Sequence, residues 1–371
     1  MRKIKIAVDA RTLGSRPSGV GMYLNDFLEQ LINYDEFEWV LFTDVAKSEY
    51  IKRFEARGIR VISWGKPVYK SAGVYLYFNF IRNELKNVSP DIFWEVNTII
   101  PINMGKGFKT LITIHDMFPI QYVKYFGKVY SAYFHINLKR TLKRTDMILY
   151  NSEQTKADTC MYFPEAAKIA SCNAYIISNP LTRYVPPKDE NYFLYVGNME
   201  KRKGVDILVK AYREYRKTGG TRPLILAGKM QETHVGKLVE DALTELDGMT
   251  YLGYVSHTTR YDLYNNCSCF VFPSMAEGFG MPLLEVMKHN KPILASDLKI
   301  FDVGNCVERF SLDGGEEKQI KNLSQAMHNF DKKASVGIVD ENAYKNALEK
   351  FTPDRLGGMV RDFINTQMEN K

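Results

Sequence analysis

The sequence predicts two Rossmann-like α/β domains facing each other across a cleft, on three observations. Strand-like and helix-like runs alternate along the chain, which favours parallel sheets with helices on both faces. The alternation passes through two series, separated by Tyr184 to Glu190, a stretch with the prolines and charges of a linker. With 371 residues, 45% hydrophobic and 25% charged, the chain can fill two cores of ordinary soluble composition.

The strand-like runs of the first series are Ile4 to Asp9, Glu38 to Thr43, Ile59 to Trp64, Asp91 to Trp94, Thr110 to His115 and Met147 to Asn151. Between the first two, Leu24, Phe27, Leu28, Leu31 and Ile32 fall on one face of a helix. The second series has strands at Tyr192 to Val196, Pro223 to Ala227, Thr250 to Leu252, Cys269 to Phe272 and Pro292 to Ala295. After its first strand, Leu208, Ala211, Tyr212 and Tyr215 recur at helical spacing. Phe351 to Asp354 then caps a last amphipathic helix carrying Met359, Val360, Phe363 and Ile364. The expected boundaries are a first domain over 1–183, a linker over 184–190, a second domain over 191–350 and a terminal helix over 351–371. There is no internal repeat and no low-complexity tract.

Several classes are disfavoured. No run reaches the roughly 18 to 20 apolar residues that span a bilayer, and the apolar run at the start is too short for a signal peptide. Five cysteines, scattered apart from Cys267 and Cys269, form neither a disulfide framework nor a four-ligand zinc pattern. A cytoplasmic location is expected.

The most informative stretch is Glu277-Gly-Phe-Gly-Met-Pro-Leu-Leu-Glu285. A buried strand precedes it, and a helix with Pro282 in its first turn follows, so the glycines lie at a strand-to-helix turn. Such a turn directs unpaired backbone N–H groups and the positive helix end at an anion, which suits a diphosphate. Two carboxylates flank it, both able to accept hydrogen bonds from hydroxyls. Alone, an acidic glycine turn of this kind is also an ordinary structural feature of α/β proteins.

A second constellation, Val196-Gly-Asn-Met-Glu-Lys-Arg-Lys-Gly204, closes the first strand of the second series. Strand ends are where open α/β sheets bind ligands, and Arg202 and Lys203 there can bring two positive charges to a diphosphate. In isolation the triplet reads more readily as a solvated basic turn.

The two motifs, in this order, resemble the signature of retaining glycosyltransferases of the GT-B type, family 4, with the run Asn198 to Lys203 similar to the mannosyltransferase-like branch. The resemblance covers most of the chain and is strongest from Tyr192 to Ser296. It implies that Glu277 holds the donor-sugar hydroxyls and supports charge developing at the anomeric carbon, that Glu285 binds the ribose, and that backbone at Phe279, Gly280 and Met281 holds the sugar. Arg202 and Lys203 then bind the diphosphate. Many members carry an arginine directly after Val-Gly, where this chain has Asn198, so the charge falls to Arg202. His115-Asp116 resembles the family's His-Asp, which makes His115 the second candidate catalytic residue through contact with donor sugar or acceptor. Ser18-Gly-Val-Gly-Met-Tyr23 resembles a Thr-Gly-Ile-Gly-x-Tyr loop, in which Gly19 and Gly21 allow close backbone approach to a ligand. Tyr254 and Val255 match positions beside the nucleotide base. The terminal helix is expected to cross back onto the first domain.

No Asp-x-Asp occurs in the sequence, so the usual carboxylate clamp for a sugar-nucleotide magnesium is missing. The expected enzyme is metal-independent, with no cofactor beyond a nucleotide diphosphate sugar as co-substrate. GDP-mannose is the first expectation and UDP-hexoses the next. Retention without an evident protein nucleophile implies, by the same resemblance, attack on the face from which the leaving group departs.

The net charge of +7 is concentrated in the first half. Gln121 to Arg144 interleaves Lys124, Lys128, Lys139, Arg140, Lys143 and Arg144 with Tyr122, Tyr125, Phe126, Tyr130, Tyr133 and Phe134. Such a surface suits the inner face of an anionic membrane or a lipid diphosphate acceptor; equally, the aromatics can be core and the lysines merely solvated. No nucleic-acid motif accompanies the charge. The expected activity is hexose transfer to a glycan or lipid-linked sugar acceptor in surface polysaccharide assembly. Two alternatives stand beside it: another enzyme on the same architecture, such as a sugar-nucleotide epimerase or a phosphorylase, and a non-catalytic nucleotide-sugar-binding scaffold.

Overall fold

A computed structural model of the chain describes residues 2–15, 19–68, 70–175, 189–298, 307–333 and 339–369. Ser18, the predicted boundary at 183 and most of the predicted linker lie outside the described residues. The chain divides into two compact units, Met1–Ser178 with Phe351–Lys371, and Asn179–Lys350.

The first unit is built on a seven-stranded sheet of β1 (Ile4–Asp9), β2 (Phe37–Thr43), β3 (Arg60–Ser63), β4 (Ile92–Glu95), β5 (Lys109–Ile114), β6 (Met147–Tyr150) and β7 (Ala170–Asn173). Its order is β3-β2-β1-β4-β5-β6-β7, and all six pairings are parallel. Parallel strands with helices on both faces are buried on both sides, which is why every residue of β4 and β6 is buried and β6 reads as a continuous apolar run.

The second unit carries β8 (Phe193–Val196), β9 (Leu224–Ala227), β10 (Met249–Tyr251), β11 (Cys269–Phe272), β12 (Ile293–Ser296) and β13 (Val307–Phe310), in the order β10-β9-β8-β11-β12-β13. All of these pairings are parallel as well. Strand order reverses between β1 and β4 in one sheet and between β8 and β11 in the other. Both sheets are therefore Rossmann-like, and each has a point beyond the strand carboxyl ends where a crevice can open.

Two strands escaped the sequence reading, β7 and β13. Both are sheet edges, paired on one side only, and neither carries a continuous buried run: every residue of β7 is half-buried, and the two middle residues of β13 are not buried.

The helix Pro353–Glu369 buries Leu356, Gly357, Val360 and Ile364. It packs on the helix Gly19–Leu31 of the first unit. Arg361 lies 4.8 Å from the centre of the Tyr34 ring, and the Lys109 ammonium donates to the Gln367 carbonyl. Val360 and Ile364 were expected on the apolar face; Met359 was too, but it is 37% exposed, because the contact stripe runs through Leu356 and Gly357 instead.

Ile364→Ala should lower the unfolding free energy of the first unit by about 2–5 kcal/mol, the usual effect of truncating a buried aliphatic side chain. Met359→Ala should stay within about 0.5 kcal/mol of the parent. Urea denaturation of the two variants checks this, and equal effects would mean that the terminal helix is not part of the core.

Candidate active site

The second unit gathers charge where β8 and β11 end side by side. After β8 the chain turns through Lys201–Lys203 and enters the helix Val205–Lys217 at Gly204. Gly204 has φ +69°, and a Cβ there would lie 1.9 Å from the Pro273 carbonyl oxygen just beyond β11. Only glycine lets the two strand-end loops approach this closely. The Met275 N–H donates to the Arg202 carbonyl at 2.9 Å, tying the loops together a second time.

That clamp delivers Lys203 to Glu277. The ammonium donates to Glu277 Oε1 at 2.5 Å, and Ser274 Oγ donates to the same oxygen at 2.6 Å. Arg202 Nη1 stands 4.0 Å from Glu277 Oε2 and donates to the Ala276 carbonyl at 2.8 Å, while Nη2 donates to Glu200 at 2.6 Å. The Glu277 side chain is only 6% exposed. Burial, and then the Glu277 and Glu200 carboxylates, push the Tyr195 phenol well above its ordinary range, so it stays a neutral donor to the Asn198 carbonyl. Beyond Glu277, Phe279 is buried, and Gly280 at φ +84° caps the helix Met281–Met287, with Pro282 in its first turn.

Glu285 lies on that helix. Its Oε2 accepts from the Tyr264 hydroxyl at 2.8 Å, and its Oε1 is 3.4 Å from Arg260. Both partners come from the helix His257–Asn266. Arg260 also borders a cavity of about 140 Å³ at the ends of β8, β9 and β10, together with Asn198, Lys229, Tyr254 and Val255. Tyr254 is 70% exposed, with the Lys229 ammonium 4.8 Å from its ring centre. Lys229 and Arg260 were not singled out in the sequence. Lys229 follows a strand end and a glycine much as the Arg202 segment does, a signal that was available; Arg260 stands in no motif.

In the first unit, His115 follows β5. Its Nε2 lies 2.9 Å from the Val96 carbonyl and must carry the proton there, which leaves Nδ1 as an acceptor. Burial pushes the imidazole down to about 4 despite that hydrogen bond, so the ring is neutral at pH 7. Gly19 and Gly21 do not lie in a loop: the helix begins at Gly19. Gly21 is buried, and a Cβ there would lie 2.0 Å from the Thr12 carbonyl oxygen, so its missing side chain serves packing against the chain's own backbone.

The strand reversal of this unit holds a second charged cluster that the sequence did not reveal. Arg11 Nη1 is 2.9 Å from Asp9 Oδ2, Arg11 Nη2 is 3.6 Å from Glu95 Oε1, and the Tyr77 hydroxyl donates to Asp9 at 3.0 Å. All are nearly or fully buried. Burial, followed by the Asp9 carboxylate, pushes Glu95 well above the usual carboxylate range. Asp9 and Arg11 are two positions apart, but Glu95 and Tyr77 come from distant segments with no shared motif, so only the fold completes the cluster.

The basic aromatic segment divides by side. On the helix Lys128–Leu142, Phe134, Leu138 and Leu142 are core, whereas Val129, Tyr130, Tyr133 and Ile136 are exposed. Among the described residues, no helix is long and apolar enough to cross a membrane.

Comparison with known proteins agrees with these features. Residues 17–179 match the model of Glycosyltransferase Family 4, and residues 182–303 match that of Glycosyl transferases group 1. The O-antigen chain mannosyltransferase RfbU of Salmonella typhimurium is 26% identical over 313 residues, 79% of this chain and 82% of that protein. O-antigen chain mannosyltransferase B of Escherichia coli is 30% identical over 229 residues, 58% of this chain and 59% of that protein. The structure of sucrose-phosphate synthase from Thermosynechococcus elongatus superposes with a TM-score of 0.77 at 15% identity over 100% of both chains, a likeness of fold alone.

Gly204→Ala should destabilise the second unit by more than about 1 kcal/mol, because a side chain meets both a left-handed backbone and the Pro273 carbonyl. Urea unfolding reads this directly, and an unchanged midpoint would show that the loops can separate freely. His115 has a depressed folded pKa, so the stability it contributes is complete above its unfolded value of about 6.5 and is lost as pH falls through about 4. A His115→Gln variant should therefore lose less stability than the parent between pH 6.5 and 4; parallel pH curves would show that the ring is not shielded.

Proposed function

We propose that this chain, which belongs to the glycosyltransferases of group 1 and family 4, transfers a hexose from a nucleotide diphosphate to a glycan or lipid-linked sugar during assembly of a surface polysaccharide. The observation that carries this reading is the clamp at the β8–β11 reversal, where Lys203, Arg202 and Glu277 meet on loops held by Gly204. A diphosphate leaving group needs positive charge fixed in advance of the reaction, and two cations on a rigid turn supply it. The names of the relatives favour mannose as the sugar and GDP-mannose as the donor.

In this reading Glu277 accepts hydrogen bonds from the donor-sugar hydroxyls and stabilises charge developing at the anomeric carbon. Lys203, already hydrogen-bonded to Glu277, is near enough to share its remaining donors with the diphosphate. Arg202 adds a planar fork. Backbone at Phe279, Gly280 and Met281 contacts the sugar. Glu285 takes the ribose, its other contacts to Tyr264 and Arg260 fixing the direction of its carboxylate. Tyr254, Val255 and the small cavity beside them receive the base. The configuration is retained: the acceptor attacks from the leaving-group face, and the departing phosphate takes its proton. The chemistry proceeds without a metal. His115, neutral and with a free acceptor at Nδ1, positions a hydroxyl rather than delivering a proton. Gly19, exposed at the first turn of its helix, leaves room for a ligand there. The acceptor is handled by the first unit, at the cytoplasmic face of an anionic membrane.

Glu277→Ala should reduce transfer by at least about 10²-fold with the fold intact, the scale of removing one fixed stabilising group. Glu285→Ala should chiefly weaken donor binding, and Arg202→Ala with Lys203→Ala should remove tight binding of a nucleoside diphosphate. Thermal shifts in EDTA with GDP, UDP, GDP-mannose and UDP-glucose, followed by transfer assays with the donor that binds, test all three. Normal turnover by the Glu277 variant sinks the site. Binding that appears only when a divalent metal is added sinks the metal-free mechanism.

A further inference from the structure

The first unit has a cavity of about 360 Å³ between the loop over residues 100–106 and the end of the helix Lys128–Leu142. Arg140, Arg144 and Lys106 line it, and no acidic residue does. The two guanidinium groups are held in place by the loop itself: Arg140 Nη2 donates to the Ile100 carbonyl and Arg144 Nη2 to the Gly105 carbonyl, each at 2.6 Å. Arg140 Nε is shielded from solvent and has no hydrogen-bond partner. Among the described residues, no carboxylate pairs with either arginine. Burial lowers the Arg140 pKa, opposed by the Tyr133 phenol and by no carboxylate. Two oriented guanidinium forks and an ammonium, without a counter-charge, match the geometry and charge of a phosphate.

The surroundings favour a phosphate that arrives on a lipid. Val129, Tyr133, Ile136 and Arg140 follow one another at spacings of four, three and four residues, which places them on one helix face. Val129 is 87% exposed and Ile136 66%, and Ile102 on the lip of the cavity is also exposed. An apolar stripe that runs directly into a basic pocket fits an acyl chain beside its headgroup, as on helices that lie in a membrane interface.

We infer that this cavity is a binding site for the phosphate group of a lipid, with Arg140 and Arg144 as its ligands and the Val129–Tyr133–Ile136 stripe against the apolar part of the same molecule. The lipid source rests on the membrane-facing reading of the first unit; the phosphate site itself rests only on the cavity.

The test is co-sedimentation of the full chain with vesicles of phosphatidylcholine, alone or with added phosphatidylglycerol. Arg140→Gln with Arg144→Gln should reduce retention on the phosphatidylglycerol vesicles at least about fivefold more than Lys128→Gln with Lys139→Gln, which removes the same charge outside the cavity. Arg140→Lys with Arg144→Lys, which keeps the charge but loses the forks, should fall between them and controls for loosening of the loop. Equal losses in the two charge-matched pairs would reduce the effect to diffuse attraction and overturn the site. Stabilisation by inorganic phosphate that the arginine pair removes, without any vesicle retention, would overturn the lipid assignment. The thermal shift with GDP should be the same in the parent and in Arg140→Gln with Arg144→Gln, so failure of the donor site in the second unit would register there and not in vesicle retention.

Discussion

The contact on which the candidate site depends is the near-collision of Gly204 with the Pro273 carbonyl. Without that approach the basic turn after β8 and the acidic loop after β11 would be separate surface features. With it, Lys203 and Glu277 become a largely buried ion pair at 2.5 Å. Removing two charges from water costs several kcal/mol for each, and the attraction recovered inside roughly balances this, so such a pair is weak evidence for stability. Its place at a strand reversal, with Arg202 beside it and a left-handed Gly280 beyond, fits chemistry better than architecture.

Both units put charge at the point where strand order reverses, yet the environments differ. At the β8–β11 reversal, Arg202 and Lys203 face two carboxylates, Glu277 and Glu200, so the charges balance. At the β1–β4 reversal, one guanidinium serves Asp9 and Glu95 in complete burial, and Glu95 is driven toward its protonated form. An anion is therefore disfavoured at the second place more than at the first, and a neutral group that donates hydrogen bonds to carboxyl oxygens is better matched to the second.

Much of this was legible in the sequence, and the parts that were not share a cause. Strands Ile4–Asp9 and Cys269–Phe272 were read to the residue because central parallel strands are apolar on both faces. Edge strands β7 and β13 lack that signal. Glu277, Arg202 and Lys203 were visible as contiguous motifs, whereas the bond between Lys203 and Glu277 crosses 74 positions and exists only through the fold. Arg11 and Glu95 are a pair of the same kind without a motif at either end, and Arg260 with Glu285 has one only at Glu285. The Gly19–Gly21 segment was placed in a loop by its resemblance to a Thr-Gly-Ile-Gly-x-Tyr loop; here Gly21 lets a helix start against the backbone of Thr12.

The segment from Gln121 to Arg144 shows why composition could not choose between core and surface. Its main helix is apolar on more than one side, so periodicity points in no single direction. Phe134, Leu138 and Leu142 fill the core of the first unit, and the apolar residues left over at Val129, Tyr133 and Ile136 face outward. A soluble helix gains nothing from that second stripe, since exposed aliphatic groups are neither packed nor hydrated favourably. The stripe ends at arginines tied to backbone carbonyls rather than to acids, an arrangement that leaves both their charge and their orientation available to an anion. An apolar surface and a phosphate site joined in that order are two halves of one amphiphile, which is the physical ground for assigning lipid recognition to this face.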